Sequence, residues 1–121
     1  MQRQLNTALE CTVLRPLELS SSISLQTEAG ELIGTLRVAK IQDGWVSGPL
    51  EVGPSYAKHQ PLFAEWTSCV NLGTFSCLDA IDEQINALRM FALHNGQPLD
   101  AIDIQIYDEC GSVSCAVRLP D

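Results

Sequence analysis

The chain has 121 residues, 45% apolar and 18% charged, with 15 acids against 7 bases for a net charge of −8. That length and composition suit one globular domain, 1–121, able to bury a core without staples, and they do not fit a disordered or low-complexity chain. The charge argues against a nucleic-acid backbone or an anionic membrane surface as partner, because Lys and Arg supply that affinity.

Residues 7–14 read as a first strand, stopped by Pro16. Ile23, Leu25 and Thr27 alternate toward Ala29-Gly30, and Leu32, Gly34, Leu36 and Val38 alternate away from it. A two-residue turn there sets Ile23 opposite Leu36, Leu25 opposite Gly34 and Thr27 opposite Leu32, with one apolar face. Asp43-Gly44 is the strongest short hairpin signal and returns Ile41 onto Val46. The same register sets Val38 against Pro49, so the strand is expected to bulge or end near Gly48. Residues 53–60 read as a loop.

Residues 61–72 admit two readings. Leu62, Phe63, Trp66, Cys69 and Val70 fit a helical face, with Pro61 at its first position. Leu62, Ala64, Trp66, Val70 and Leu72 fit a strand nearly as well. The helical reading, over 61–71, is preferred.

In the stretch 76–96 every local signal points to a helix, placed at about 77–94. Leu78, Ile81, Ile85, Leu88 and Ala92 make one apolar stripe. Ser76 stands at the N-cap, and Asn95-Gly96 followed by Pro98 marks the end. Asp79, Asp82 and Glu83 fill the first turns, with Arg89 and His94 toward the last, as the helix dipole favours. Beyond it, Ile102, Ile104 and Ile106 alternate with polar residues, as do Val113, Cys115, Val117 and Leu119. A type II′ turn at Gly111-Ser112 pairs Ile106 with Val117 and Ile104 with Leu119. Strands first, then one or two helices, then a closing hairpin predict an α+β fold. Its mainly antiparallel sheet, built from N-terminal strands and the C-terminal hairpin, would carry the long helix across one face.

No residue pattern specifies a reaction. The first thirty residues carry Arg3, Glu10, Arg15, Glu18 and Glu28 and give no apolar signal region. No apolar run approaches the length of about eighteen needed to span a bilayer. Five cysteines, an odd number without framework spacing, fit a reducing compartment, so a cytoplasmic protein is expected. No zinc knuckle, calcium loop, phosphate loop or nucleophile elbow occurs, so neither a metal nor a cofactor is expected. Cys77, in the first turn of a helix, is the best reactive thiol. His94, seventeen residues along the same expected helix, stands about 26 Å away, out of reach. His59 lies in a loop, which leaves a cysteine enzyme using Cys77 or Cys69 with His59 as the catalytic alternative.

Charge is uneven along the chain. Residues 1–78 hold seven acids against five bases, a net −2, and 79–121 hold eight against two, a net −6. The expected function is binding of another protein, a basic one, without catalysis. Its contact residues would be Asp79, Asp82, Glu83, Asp103, Asp108 and Glu109, with the aromatic residues Trp45, Tyr56 and Trp66 as anchors. In size, acidity and α+β layout the chain resembles bacterial immunity and inhibitor proteins and the acidic chaperones of secreted effectors, although no motif specific to either is present. Self-association into a homodimer, or an oligomeric structural or phage-type accessory role, is the remaining alternative.

Overall fold

The computed structural model describes residues 17–120; the strand expected over 7–14 lies outside them. Among the described residues four strands come first: Ser22–Gln26 (β1), Leu32–Arg37 (β2), Lys40–Gln42 (β3) and Trp45–Val52 (β4). Helix Gln60–Leu72 (α1) follows, then a 3-10 turn, Phe75–Cys77, and helix Leu78–Ala87 (α2). Strands Phe91–His94 (β5), Gln97–Pro98 (β6), Asp103–Glu109 (β7) and Ser112–Arg118 (β8) complete the order. The fold is α+β: one eight-stranded sheet in the order β6-β5-β1-β2-β4-β8-β7, with β3 beside β4 off that path. Every pairing in it is antiparallel.

Period-2 alternation puts the apolar residues of neighbouring strands on one face. Leu25 lies between Ala92 and Gly34, Leu36 between Ile23 and Leu50, and Val117 between Val46 and Ile104. All but Ile104, which is half-buried, are buried, and Phe63 of α1 joins them, stacked on Tyr56 with ring centres 5.8 Å apart.

The Asp43-Gly44 hairpin forms as read, with Ile41 opposite Val46. In the first hairpin Ile23 meets Leu36 and Leu25 meets Gly34, but the register then slips and Gln26, not Thr27, stands opposite Leu32. Thr27 donates its N–H to the Glu31 carbonyl at 2.9 Å, and Gly30, at φ 88, supplies the left-handed residue of a three-residue loop with a bulge. Of the two outcomes expected near Gly48 the bulge is the one observed, and β4 does not end there. It runs on to Val52 and pairs with β3, then with β2. The join is a bulge at Val38-Ala39, and a Cβ on Gly48 would overlap the Arg37 carbonyl there. Only glycine lets the two backbones approach so closely.

α1 is a helix, as preferred, with Pro61 in its first turn. It closes on Gly73 (φ 72) in a Schellman motif: Thr74 N–H donates to Cys69 O at 2.9 Å and Gly73 N–H to Val70 O at 3.2 Å. The long helix over 77–94 is corrected. α2 stops at Ala87, Arg89 turns the chain at φ 50, and Phe91–His94 is a strand. Leu25 takes Ala92 as partner and Gln26 takes Phe91. Without β5, the inner strand β1 would leave its second row of amides unpaired, and pairing them outweighs two more helical turns. Asn95-Gly96 (φ 54 and 77) is therefore a hairpin turn between β5 and β6, not a helix cap. Ser76 does not cap α2 either; it lies inside the 3-10 turn, and Cys77 precedes the first helical residue.

The closing hairpin turns one residue earlier than read, at Cys110-Gly111 (φ 54 and 89), so Ile106 faces Cys115 and Ile104 faces Val117. Both registers keep the same residues on the apolar face, so alternation cannot tell them apart. The Asp108 carboxylate accepts the Gly111 N–H at 3.2 Å and holds the observed turn. No helix among the described residues is long and apolar enough to cross a membrane.

Candidate protein-binding site

Among the described residues β7 ends the sheet, and its only strand partner there is β8. α1 crosses part of its outer edge. The Asp108 N–H leaves the ladder and donates to Thr67 Oγ1 at 2.8 Å, and Asn71 Nδ2 donates to Glu109 Oε2 at 2.7 Å. Trp66 packs on Tyr107 with ring centres 5.2 Å apart. The edge is thus closed over 107–109. In an antiparallel ladder alternate residues turn their N–H and C=O groups outward, so Ile104 and Ile106 share the outward direction of Asp108.

Beside 103–106 the helices stand off, and a groove of about 260 Å3 separates α1 and α2 from the strand. Trp66, Asp82, Ile85 and Asn86 form its helical wall. It continues past Ile85 and Asn86 into a hollow of about 170 Å3 beside Arg89, Met90 and Ala101. Trp66 Nε1 donates to Asp82 Oδ1 at 2.9 Å, which fixes the indole and the carboxylate together at the groove. Asp103 lines the opposite wall, and Ile102 beside it is 63% exposed. An edge of outward amides, an apolar floor and two carboxylates can hold an extended peptide carrying positive charge.

Of the expected contact residues, Trp66, Asp82 and Asp103 meet at this groove. Asp79 and Glu83 are exposed on α2, and Glu109 is exposed but tied to Asn71. Trp45 lies on the outer face of the sheet, two strands in from β7, about 10 Å away. Arg118 covers its ring at 5.8 Å and stands in register between Trp45 and Asp103.

Tyr56 and Asp108 are corrected: both are buried and neither can meet a partner. Asp108 has the same parity as Ile104 and Ile106, which puts it on the core face. It accepts from Tyr56 Oη at 2.5 Å and Gln60 Nε2 at 3.3 Å. Burial pushes its carboxyl up, but the bonds from Tyr56, the Gly111 N–H and Gln60 together hold it below the usual carboxylate range. The Tyr56 phenol is pushed well above its ordinary range by burial and by the neighbouring Asp108 carboxylate. The strand's parity was the sequence signal for this burial.

Glu31 was missed. It forms an ion pair with Lys58 and stands 3.1 Å from His59 Nε2, and both partners hold its carboxyl below the ordinary range. Nothing local in sequence joins a turn between β1 and β2 to the foot of α1. His59 is thereby occupied, and it stands ten residues, about 15 Å along α1, from Cys69. Neither Cys69 nor Cys77 is brought to it. His94 is on β5, not on a helix with Cys77, and its Nδ1 lies 3.2 Å from Ser22 O. Among the described residues the thiols that do meet are Cys69 and Cys77, with sulfurs 2.9 Å apart. Among the described residues no three or more His, Cys, Asp or Glu side chains gather as a metal site would require. No family model, curated protein or solved structure matches the chain.

Proposed function

We propose that the chain is a protein-binding module that takes an extended, basic segment of another protein along 103–106 of β7. The observation that supports this reading is the coincidence of a strand edge that no described strand pairs with and a groove walled by Asp82 and Asp103. The segment would add as a further strand, its amides pairing with those of Ile104 and Ile106. Its apolar side chains would enter the groove against Trp66 and Ile85, and its Lys or Arg residues would meet the two carboxylates. Asp79 and Glu83 extend the negative field and would steer a basic partner toward the groove. An inhibitor of immunity type, or a chaperone shielding a basic surface, would use such a contact. A cytoplasmic setting belongs to the same reading and rests on the odd, unframed cysteine count.

The test is binding of a synthetic peptide of alternating lysine and valine, followed by fluorescence polarisation at low and high salt. Binding that weakens with salt, weakens at least about tenfold in Asp82→Lys/Asp103→Lys, and slows amide exchange at Ile104 and Ile106 is expected. Unchanged exchange at those two amides under saturating peptide would overturn the reading. A homodimer that forms without peptide and buries the same amides would favour the oligomeric alternative.

A further inference from the structure

We propose that Cys69 and Cys77 form a redox-active pair that a low-molecular-weight disulfide converts into an intramolecular disulfide joining the end of α1 to the start of α2. The two sulfurs lie 2.9 Å apart, in direct contact, and must close to about 2.05 Å to bond. Their surroundings assign different roles. Cys77 is half-buried at the residue before α2, and its Sγ donates to the Thr74 carbonyl at 3.2 Å. Cys69 is buried on the last turns of α1. The hydrogen bond to Cys77, together with burial, pushes the Cys69 thiol up to about 11. Cys77, the less buried of the two, is therefore the sulfur that an external oxidant reaches first.

In the first step the Cys77 thiolate attacks one sulfur of the external disulfide. A Cys77–S bond forms, the external S–S bond breaks, and one thiolate leaves and is protonated. In the second step Cys69 gives up its proton and attacks Cys77 Sγ. The intramolecular disulfide forms, and the second external thiolate leaves carrying that proton. Two cysteine thiols are oxidised by two electrons, and one external disulfide is reduced to two thiols. The bond to Cys77 that helps push the Cys69 thiol up is lost in the mixed disulfide, so the second step is eased by the first. The other described cysteines lack this arrangement. Cys115 is buried, which pushes its thiol up to about 12, and Cys110 is exposed in a turn with no sulfur partner among the described residues.

The site stands apart from the groove on β7 and does not depend on the proposed peptide binding. It is tested in a Cys11→Ser/Cys110→Ser background by treating the folded protein with oxidised glutathione and weighing the tryptic peptide 59–89, which contains both thiols. The expected product has lost two hydrogens and carries no glutathione. Adding Cys69→Ser is expected to trap one glutathione on Cys77, whereas Cys77→Ser leaves Cys69 unmodified. A stable glutathione adduct with both cysteines present, or a peptide of unchanged mass, would overturn the proposal. That measurement on the intact pair decides even if either serine variant fails to fold.

Discussion

Tyr56 donates its hydroxyl hydrogen to Asp108 Oδ2 at 2.5 Å across 52 positions of sequence, and both side chains are buried. The bond ties the loop before α1 to the end of strand β7, and it satisfies a buried carboxylate. Gln60 and the Gly111 N–H complete the shell. A buried charge with this many donors specifies where α1 sits on the sheet, because any slide of the helix would strand it.

Tyr56→Phe keeps the ring stacked on Phe63 and removes only the donor. Loss of one charge-assisted bond from a buried carboxylate is expected to destabilise the fold by about 1–3 kcal/mol. Urea unfolding followed by circular dichroism measures it, and an unchanged midpoint would mean that water or another donor replaces the hydroxyl.

The same pair sets the response to pH. Asp108 is held below its unfolded value of about 3.9, so its contribution is present above that pH and is lost as pH falls through the folded value. Tyr56 is raised above its unfolded value of about 10, so its contribution is present below that pH and is lost as pH climbs through the folded value. The stability gap between wild type and Tyr56→Phe should therefore narrow in acid, below about pH 4. Denaturant midpoints collected from pH 2 to 7 give the curve, and a gap that widens in acid would reverse the assignment.

Gly48→Ala tests the bulge that joins β2 and β3 along β4. The added methyl would overlap the Arg37 carbonyl and stand 2.9 Å from the Ala39 nitrogen, both backbone atoms that cannot swing aside. A loss of about 3 kcal/mol or more is expected, at the upper end of overpacking costs. The control is Gly30→Ala, where no atom lies within 4 Å and only the positive φ of 88 opposes the methyl; that should cost about 1–2 kcal/mol.

Arg89 holds φ 50 where α2 gives way to β5. Its ion pair with Glu28 spans 3.6 Å between side chains about 70% exposed, and such pairs contribute little. Arg89→Gly relieves the left-handed strain and is expected to raise stability by about 0.5–1 kcal/mol, or a few degrees in Tm. A drop in Tm would show that the arginine side chain itself secures the turn.

Much of the fold was legible where the signal is local and has one solution. Asp43-Gly44 with flanking Ile41 and Val46 permits one hairpin, and it formed in that register. Pro61 with the helical spacing of Phe63, Trp66 and Cys69 placed α1 within a residue or so of its bounds. At 88–96 the local signals were equally clear and misled. Leu88 and Ala92 continue a helical stripe, and Asn95-Gly96 ends a helix as readily as it turns a hairpin. The candidate site divides in the same way: Trp66, Asp82 and Asp103 were named from sequence and meet at the groove, while Asp108 and Tyr56 turned inward.

The sequence by itself determined that β1 and β2, β3 and β4, and β7 and β8 form hairpins, which residues make the apolar face and where α1 begins and ends, because alternation, turn residues and helix ends act within a few residues of one another. Tertiary structure alone decided that β1 draws 91–94 out of a helix, since an inner strand must pair both rows of its amides and only a distant segment can supply the second. It also decided which stretch of β7 α1 covers, and that Cys69 meets Cys77 while His59 meets Glu31. Those relations depend on how helices lie against a sheet, and no local pattern carries that.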